Sequence, residues 1–195
     1  MSTKSIKQKS VSNIDINSFL KSLILLLKPR VMSLVIFTCA VGYITSNSTI
    51  ETINAIVGII LVAIGAGAAG CLNMWYDSDI DALMTRTCLR PIPTGKITRN
   101  YALVYGLALT VISVILLNYF TNFLSAALLL FTILFYILVY TIWLKRKTPQ
   151  NIVIGGAAGA LPPIIGWTIA TNSISLEPIS LFLIIFFGLP HIFGH

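Results

Sequence analysis

Six times between residues 31 and 193 the chain runs for close to a membrane's thickness without one Asp, Glu, Lys or Arg, at 31–46, 53–75, 101–119, 123–144, 152–170 and 178–193. About 20 apolar residues cross the hydrocarbon core of a bilayer as a helix. Inside that core every backbone polar group must be satisfied within the protein, which leaves helices as the economical solution. The pattern therefore predicts an all-α, polytopic transmembrane helix bundle of about six spans. With 56% hydrophobic and 10% charged residues, a soluble globule is excluded. The stretch 19–27 is apolar but too short to span, and reads as an interfacial helix leading into Lys28-Pro29-Arg30.

The polar segments between the runs carry a charge code. Lys and Arg crowd the N-terminal side (Lys21, Lys28, Arg30), the segment 86–99 and Lys145-Arg146-Lys147, whereas 46–52, 118–122 and 171–177 contain neither. The positive-inside rule then puts the N-terminus and the 73–96 segment in the cytoplasm. The bases flank apolar runs and do not form a stripe interleaved with aromatics, so nucleic acid is not an expected partner; the lipid bilayer is. Residues 1–18 read as a flexible basic N-terminus without a signal-peptide core, and 19–195 as one membrane domain. Cys39, Cys71 and Cys88 are odd in number and widely spaced, which suggests packing and not a disulfide or zinc frame. Gly65, Gly67 and Gly70 in the second run predict close helix approach, and Pro162-Pro163 predict a kink in the fifth.

Chemistry concentrates where the second run ends. Of six acidic residues, three (Asp77, Asp79 and Asp81) fall within five positions. On a continuing helix Asn73, Asp77 and Asp81 recur every four residues and share a face. Like charges at that spacing repel, and the C-terminal end of a helix disfavours anions. Carboxylates held against both effects call for a cation, and oxygen-only ligands suit Mg²⁺. Arg86, Arg90, Lys96 and Arg99 follow at once, and acids that hold a metal beside bases that hold phosphate oxygens compose a diphosphate site. The plainer alternative is a solvated polar helix end.

These residues resemble a known pattern. Asn73-x₃-Asp77-x₃-Asp81 followed by Arg86-x₃-Arg90-Pro91 looks like the first aspartate-rich motif of the UbiA superfamily of intramembrane prenyltransferases. Lys28-Pro29-Arg30, the run from Asn73 to Asp77, the block from Asp81 to Thr87, Arg90-Pro91-Ile92-Pro93 and Leu189-Pro190-His191 are similar to the protohaem IX farnesyltransferases (haem O synthases) within it. The resemblance implies substrates, farnesyl diphosphate and haem b, and a product, haem O, with a hydroxyethylfarnesyl group added at a vinyl. It implies that Asp77 and Asp81 hold Mg²⁺ with Asn73 as ligand or orienting group, that Arg86, Arg90 and Lys96 bind diphosphate, and that His191 contacts haem. It also implies a bacterial inner membrane (a mitochondrial one being the alternative) and, as further partners, other haem A biosynthesis or oxidase assembly proteins. Relatives of this kind carry about nine spans, each of the length a bilayer requires, with a second acidic motif after the sixth. This chain does not reach that motif, so the expectation is of little or no activity alone. Competing readings are a UbiA-type aromatic polyprenyltransferase, a non-catalytic haem-binding membrane remnant, and an ion path built on intramembrane acids.

Overall fold

The computed structural model of the chain describes residues 16–47, 52–145, 147 and 151–193, with side chains described only from 154 to 188 in the last stretch. The flexible N-terminus expected over 1–18 lies outside the described residues up to residue 15; beyond it α1 (Ile16–Leu26) is already helical. Then follow α2 (Pro29–Thr45), α3 (Thr52–Tyr76), the short α4 (Ser78–Leu83), α5 (Arg99–Phe120), α6 (Phe123–Leu134) with a π-helical continuation (Phe135–Leu144), α7 (Asn151–Ala160), α8 (Pro162–Thr171) and α9 (Leu176–Phe193). The described residues are all-α, and the molecule is a multi-pass membrane bundle.

The expected six spans are corrected. Four helices are long and apolar enough to cross a membrane: Thr52–Tyr76, Arg99–Phe120, Phe123–Leu144 and Ile154–Thr171. A fifth exists only if α1 and α2 are counted together, and they are bent by 49°. The bend has a local cause. Pro29 drives the residue before it out of the right-handed helical region, and Lys28 adopts φ 54°, ψ 69°. That leaves α2 with 17 residues of its own. The expected sixth span, 178–193, falls in α9, whose described apolar part, Leu176–Gly188, is too short to cross. In the fifth run the double proline interrupts the helix at Leu161, between α7 and α8.

α3 is the axis of the bundle. From Gly67 to Met74 every residue is buried, which is more than two turns and so every face. Small residues make this possible. A Cβ at Gly65 would stand 2.9 Å from Leu129 Cδ1, and one at Gly106 on α5 would stand 2.7 Å from Leu72 Cγ. The closest crossing is between α2 and α8, where a Cβ at Gly42 would lie 2.0 Å from the Pro163 carbonyl oxygen and one at Gly166 1.9 Å from that of Cys39. Backbone there touches backbone, the arrangement that small residues permit between membrane helices. Val35, Cys39, Val62, Leu117, Leu129, Ile165 and Ile169 fill the core among these helices, while apolar side chains such as Val104, Val111, Ile115, Phe131 and Leu138 stay exposed, as a lipid-facing surface must. At one end of the bundle Asn122, capping α6, donates to the Thr168 carbonyl at 2.7 Å and joins α6 to α8. The opposite end gathers the charged residues.

Candidate functional site

The acidic motif sits where α3 gives way to α4. Asp77 leaves helical dihedrals only slightly (φ −83°, ψ 3°), and the i→i−4 ladder continues through it: Asp77 N–H donates to the Asn73 carbonyl at 3.0 Å and Asp81 N–H to that of Asp77 at 2.8 Å. Asn73, Asp77 and Asp81 are all buried, while Asp79 is exposed. The four-residue spacing thus turns three polar side chains inward and sends the other acid out.

Each carboxylate meets a base. Asp81 pairs with Arg90 at 2.6 Å. The segment after α4 folds back in successive turns to make that contact, with Thr87 Oγ1 donating to the Asp81 carbonyl at 3.1 Å and Arg90 N–H to the Thr87 carbonyl at 3.0 Å. Asp77 Oδ2 accepts from Lys145, at the end of the π-helical segment, and from Asn73 Nδ2 at 2.9 Å. Asp77 Oδ1 is buried with no hydrogen-bond partner among the described residues.

Lys28 completes the cluster. Its ammonium donates to Asn73 Oδ1 at 2.7 Å, and its stem lies along α3 where a Cβ at Gly70 would come within 3.3 Å of Lys28 Cδ. A left-handed, non-glycine residue is uncommon; here it turns the side chain towards α3. Lying in the turn between α1 and α2, Lys28 is held down to about 8, first by burial and then by the like charges of Arg90 and Lys145, with Asp77 and Asp81 opposing. Three cations (Lys28, Arg90, Lys145) thus face two carboxylates (Asp77, Asp81), leaving one positive charge in excess. Such a cluster favours an anion. Its oxygen side, with one idle carboxylate atom, favours a hard cation.

The Phe123–Leu144 span brings Lys145 in by an unusual route. Nine positions separate Tyr136 from Lys145, which is half a turn out of register on an α-helix. On the wider π-helix the same nine positions come close to two full turns. The π segment Phe135–Leu144, in which Lys145 N–H donates to the Tyr140 carbonyl at 3.0 Å, therefore sets Tyr136, Thr141 and Lys145 towards one side. Thr141 is buried and reaches Asn73. Beneath the cluster lies a cavity of ≈ 100 Å³ with Lys28 and Gly70 at its charged end and Tyr136, Ala66, Val62 and Ile165 along apolar walls.

Among the residues expected from sequence, Asn73, Asp77, Asp81 and Arg90 come together. Arg86 and Lys96 are exposed on the same segment and make no ion pair among the described residues. Arg99 stands over the Trp75 ring at 5.5 Å. The expectation for His191 lies outside the described side chains. Lys28, Lys145 and Thr141 were not anticipated as site residues. In the sequence both lysines read as loop charges; a lysine just before proline, and another ending an uncharged run, are the signals that mark them.

A family profile described as "UbiA prenyltransferase family" matches residues 34–195. Protoheme IX farnesyltransferase of Pelagibacter ubique (strain HTCC1062) is 66% identical over 190 residues, covering 97% of this chain and 62% of that protein. Protoheme IX farnesyltransferase 2 of Mesorhizobium japonicum is 62% identical over 165 residues, covering 85% of this chain and 52% of that one. The chain thus spans under two thirds of the length of these curated relatives. Among solved structures, a UbiA homolog from Archaeoglobus fulgidus bound to DMAPP and Mg²⁺ superposes with a TM-score of 0.66 at 20% identity, over 88% of this chain and 61% of that one. The fold is shared.

Proposed function

The chain belongs to the UbiA prenyltransferase family, and on that premise we propose that it serves a protohaem IX farnesyltransferase, which joins farnesyl diphosphate to haem b to form haem O. The observation that carries this reading is the cluster of buried Asp77 and Asp81 with half-buried Lys28, Arg90 and Lys145, joined through Lys28 to an apolar cavity. The carboxylates fit Mg²⁺. Asp77 has a buried oxygen with no hydrogen-bond partner among the described residues, and two carboxylates with phosphate oxygens and waters are a usual Mg²⁺ shell. Asp77 and Asp81 are assigned to that ion, which when bound supplies Lewis-acid neutralisation of the departing diphosphate. Asn73 orients the Asp77 carboxylate.

Lys28, Arg90 and Lys145 bind the diphosphate and stabilise the charge that grows on it as the allylic carbon–oxygen bond breaks. Arg86 and Lys96, exposed at the rim, meet the diphosphate as it enters. The apolar cavity holds the isoprenoid chain and keeps water from the allylic cation. The haem vinyl donates its π pair to that cation, forming the carbon–carbon bond; water then adds to the vinyl carbon left electron-deficient and releases a proton. The charged end faces the cytoplasm of a bacterial inner membrane, where the diphosphate is soluble.

The test is direct. Purified protein in detergent, given haem b, farnesyl diphosphate and Mg²⁺, is expected to yield a haem heavier by one farnesyl group and one hydroxyl, read by mass spectrometry, in trace from this chain alone and in quantity once the further length that its curated relatives carry is supplied. Prenylation of 4-hydroxybenzoate with no change in the haem overturns the haem assignment and moves the protein to an aromatic-acid prenyltransferase.

A further inference from the structure

Asn73 cannot act alone. Its amide has a donor-only ammonium on one side, Lys28 Nζ to Oδ1 at 2.7 Å, and an acceptor-only carboxylate on the other, Nδ2 to Asp77 Oδ2 at 2.9 Å. That pairing fixes which end of the amide is nitrogen. The second N–H of Nδ2 points at Thr141 Oγ1, 3.1 Å away, and the Thr141 hydroxyl spends its own proton on the Tyr136 carbonyl at 2.9 Å, five residues back on the π-helical segment. Thr141 and Asn73 are both buried. On a regular α-helix a threonine hydroxyl bonds back three or four residues. The wider turn moves this one to five and leaves its lone pair facing α3.

We infer that Thr141 is a positioning residue, which through Asn73 sets the Asp77 carboxylate and the Lys28 ammonium for a divalent cation and a diphosphate. The inference rests on the proposed diphosphate-binding reading of the cluster. It couples the Phe123–Leu144 span to the acidic motif by a hydrogen bond as well as by the Lys145 ion pair, so the π-helical turn is part of the site's construction.

The experiment uses purified protein in detergent, with Mn²⁺ and inorganic pyrophosphate as probes and electron paramagnetic resonance as the readout. Thr141→Val keeps the shape and removes the hydroxyl; Thr141→Ser keeps the hydroxyl and removes the methyl. Thr141→Val is expected to weaken Mn²⁺–pyrophosphate binding by about tenfold, the usual scale for removing a partner that orients a ligand. Thr141→Ser is expected to bind as the unaltered protein does, and KM for the allylic diphosphate is expected to move more than kcat. Normal binding by Thr141→Val overturns the inference, and so does equal loss in both variants, which is the signature of packing. Should Thr141→Val not fold, Thr141→Ala and Asn73→Ala in a double-mutant cycle decide the matter: non-additive losses support the coupling and additive losses overturn it. If the unaltered protein binds no Mn²⁺ with pyrophosphate, the diphosphate reading itself has failed; if it binds and Thr141→Val binds equally well, only the present inference has.

Discussion

Asp77 accepts a hydrogen bond from Lys145, 68 residues further along the chain, so the end of the second apolar run is tied to the end of the fourth by an ion pair. The carboxylate is fully buried, while the lysine side chain is 29% exposed. One oxygen of the carboxylate is engaged and the other has no hydrogen-bond partner among the described residues. A bound divalent cation would have that second oxygen to coordinate.

Removing the lysine exposes that asymmetry. Lys145→Ala leaves a buried carboxylate without its counter-charge, and the expected loss is about 1–3 kcal/mol, reduced from the figure for a wholly buried pair by the solvent that reaches the ammonium. Thermal unfolding in detergent measures it. Added Mg²⁺ is expected to recover part of the loss, and a variant as stable as the unaltered protein with no response to Mg²⁺ contradicts the pairing.

The α2–α8 crossing makes a sharper structural prediction. Gly42→Ala and Gly166→Ala each place a methyl about one carbon radius from a backbone carbonyl. No rotamer relieves a clash with backbone, so each is expected to destabilise by about 1–3 kcal/mol or to prevent folding. Gly188→Ala, with nothing within 4 Å of the added methyl, is the control and is expected to melt as the unaltered protein does.

Much of this was legible in the chain, and what was not has physical causes. Uncharged runs marked α3, α5, the α6–π helix and the α7–α8 pair because hydrocarbon tolerates few other patterns. The four-residue spacing put Asn73, Asp77 and Asp81 on one inward side because the helical ladder survives the turn at Asp77. The six-span count was too high because the run 31–46 was counted as a span although the turn at Lys28-Pro29 leaves α2 only 17 residues, and because 178–193 falls in α9, whose described apolar part is short. The π-helical register left no mark: a Tyr-rich apolar run reads the same with either hydrogen-bonding pattern, and an α-helical wheel sets Lys145 opposite Tyr136. Which of several loop bases turns inward was hidden for a related reason. It depends on how the 84–98 segment folds back, and that segment has no periodicity.

Arg90 and Arg86 therefore separate experimentally. Arg90→Gln removes a guanidinium bonded to Asp81 inside the cluster, and KM for farnesyl diphosphate is expected to rise by about tenfold, the scale of one lost charge-assisted contact. Arg86→Gln acts on an exposed side chain and is expected to cost less, and to cost less still at high salt. The reverse order in steady-state kinetics contradicts the proposed roles.

The cavity makes a prediction about chain length. Ala66 lines its apolar wall, so Ala66→Phe is expected to fill it and to weaken farnesyl diphosphate binding far more than that of inorganic pyrophosphate, as competition binding would show. Equal weakening of both places the isoprenoid elsewhere.

The central claim is that the Asp77–Asp81 pair gathers a divalent cation against the diphosphate that Lys28, Arg90 and Lys145 hold. Crystals of the protein grown with Mn²⁺ and a non-ionising thio analogue of farnesyl diphosphate test it through anomalous scattering. The account predicts a manganese peak within bonding distance of the Asp77 carboxylate and beside the diphosphate, absent in Asp77→Asn. A peak away from both carboxylates, or one unchanged by that substitution, contradicts it.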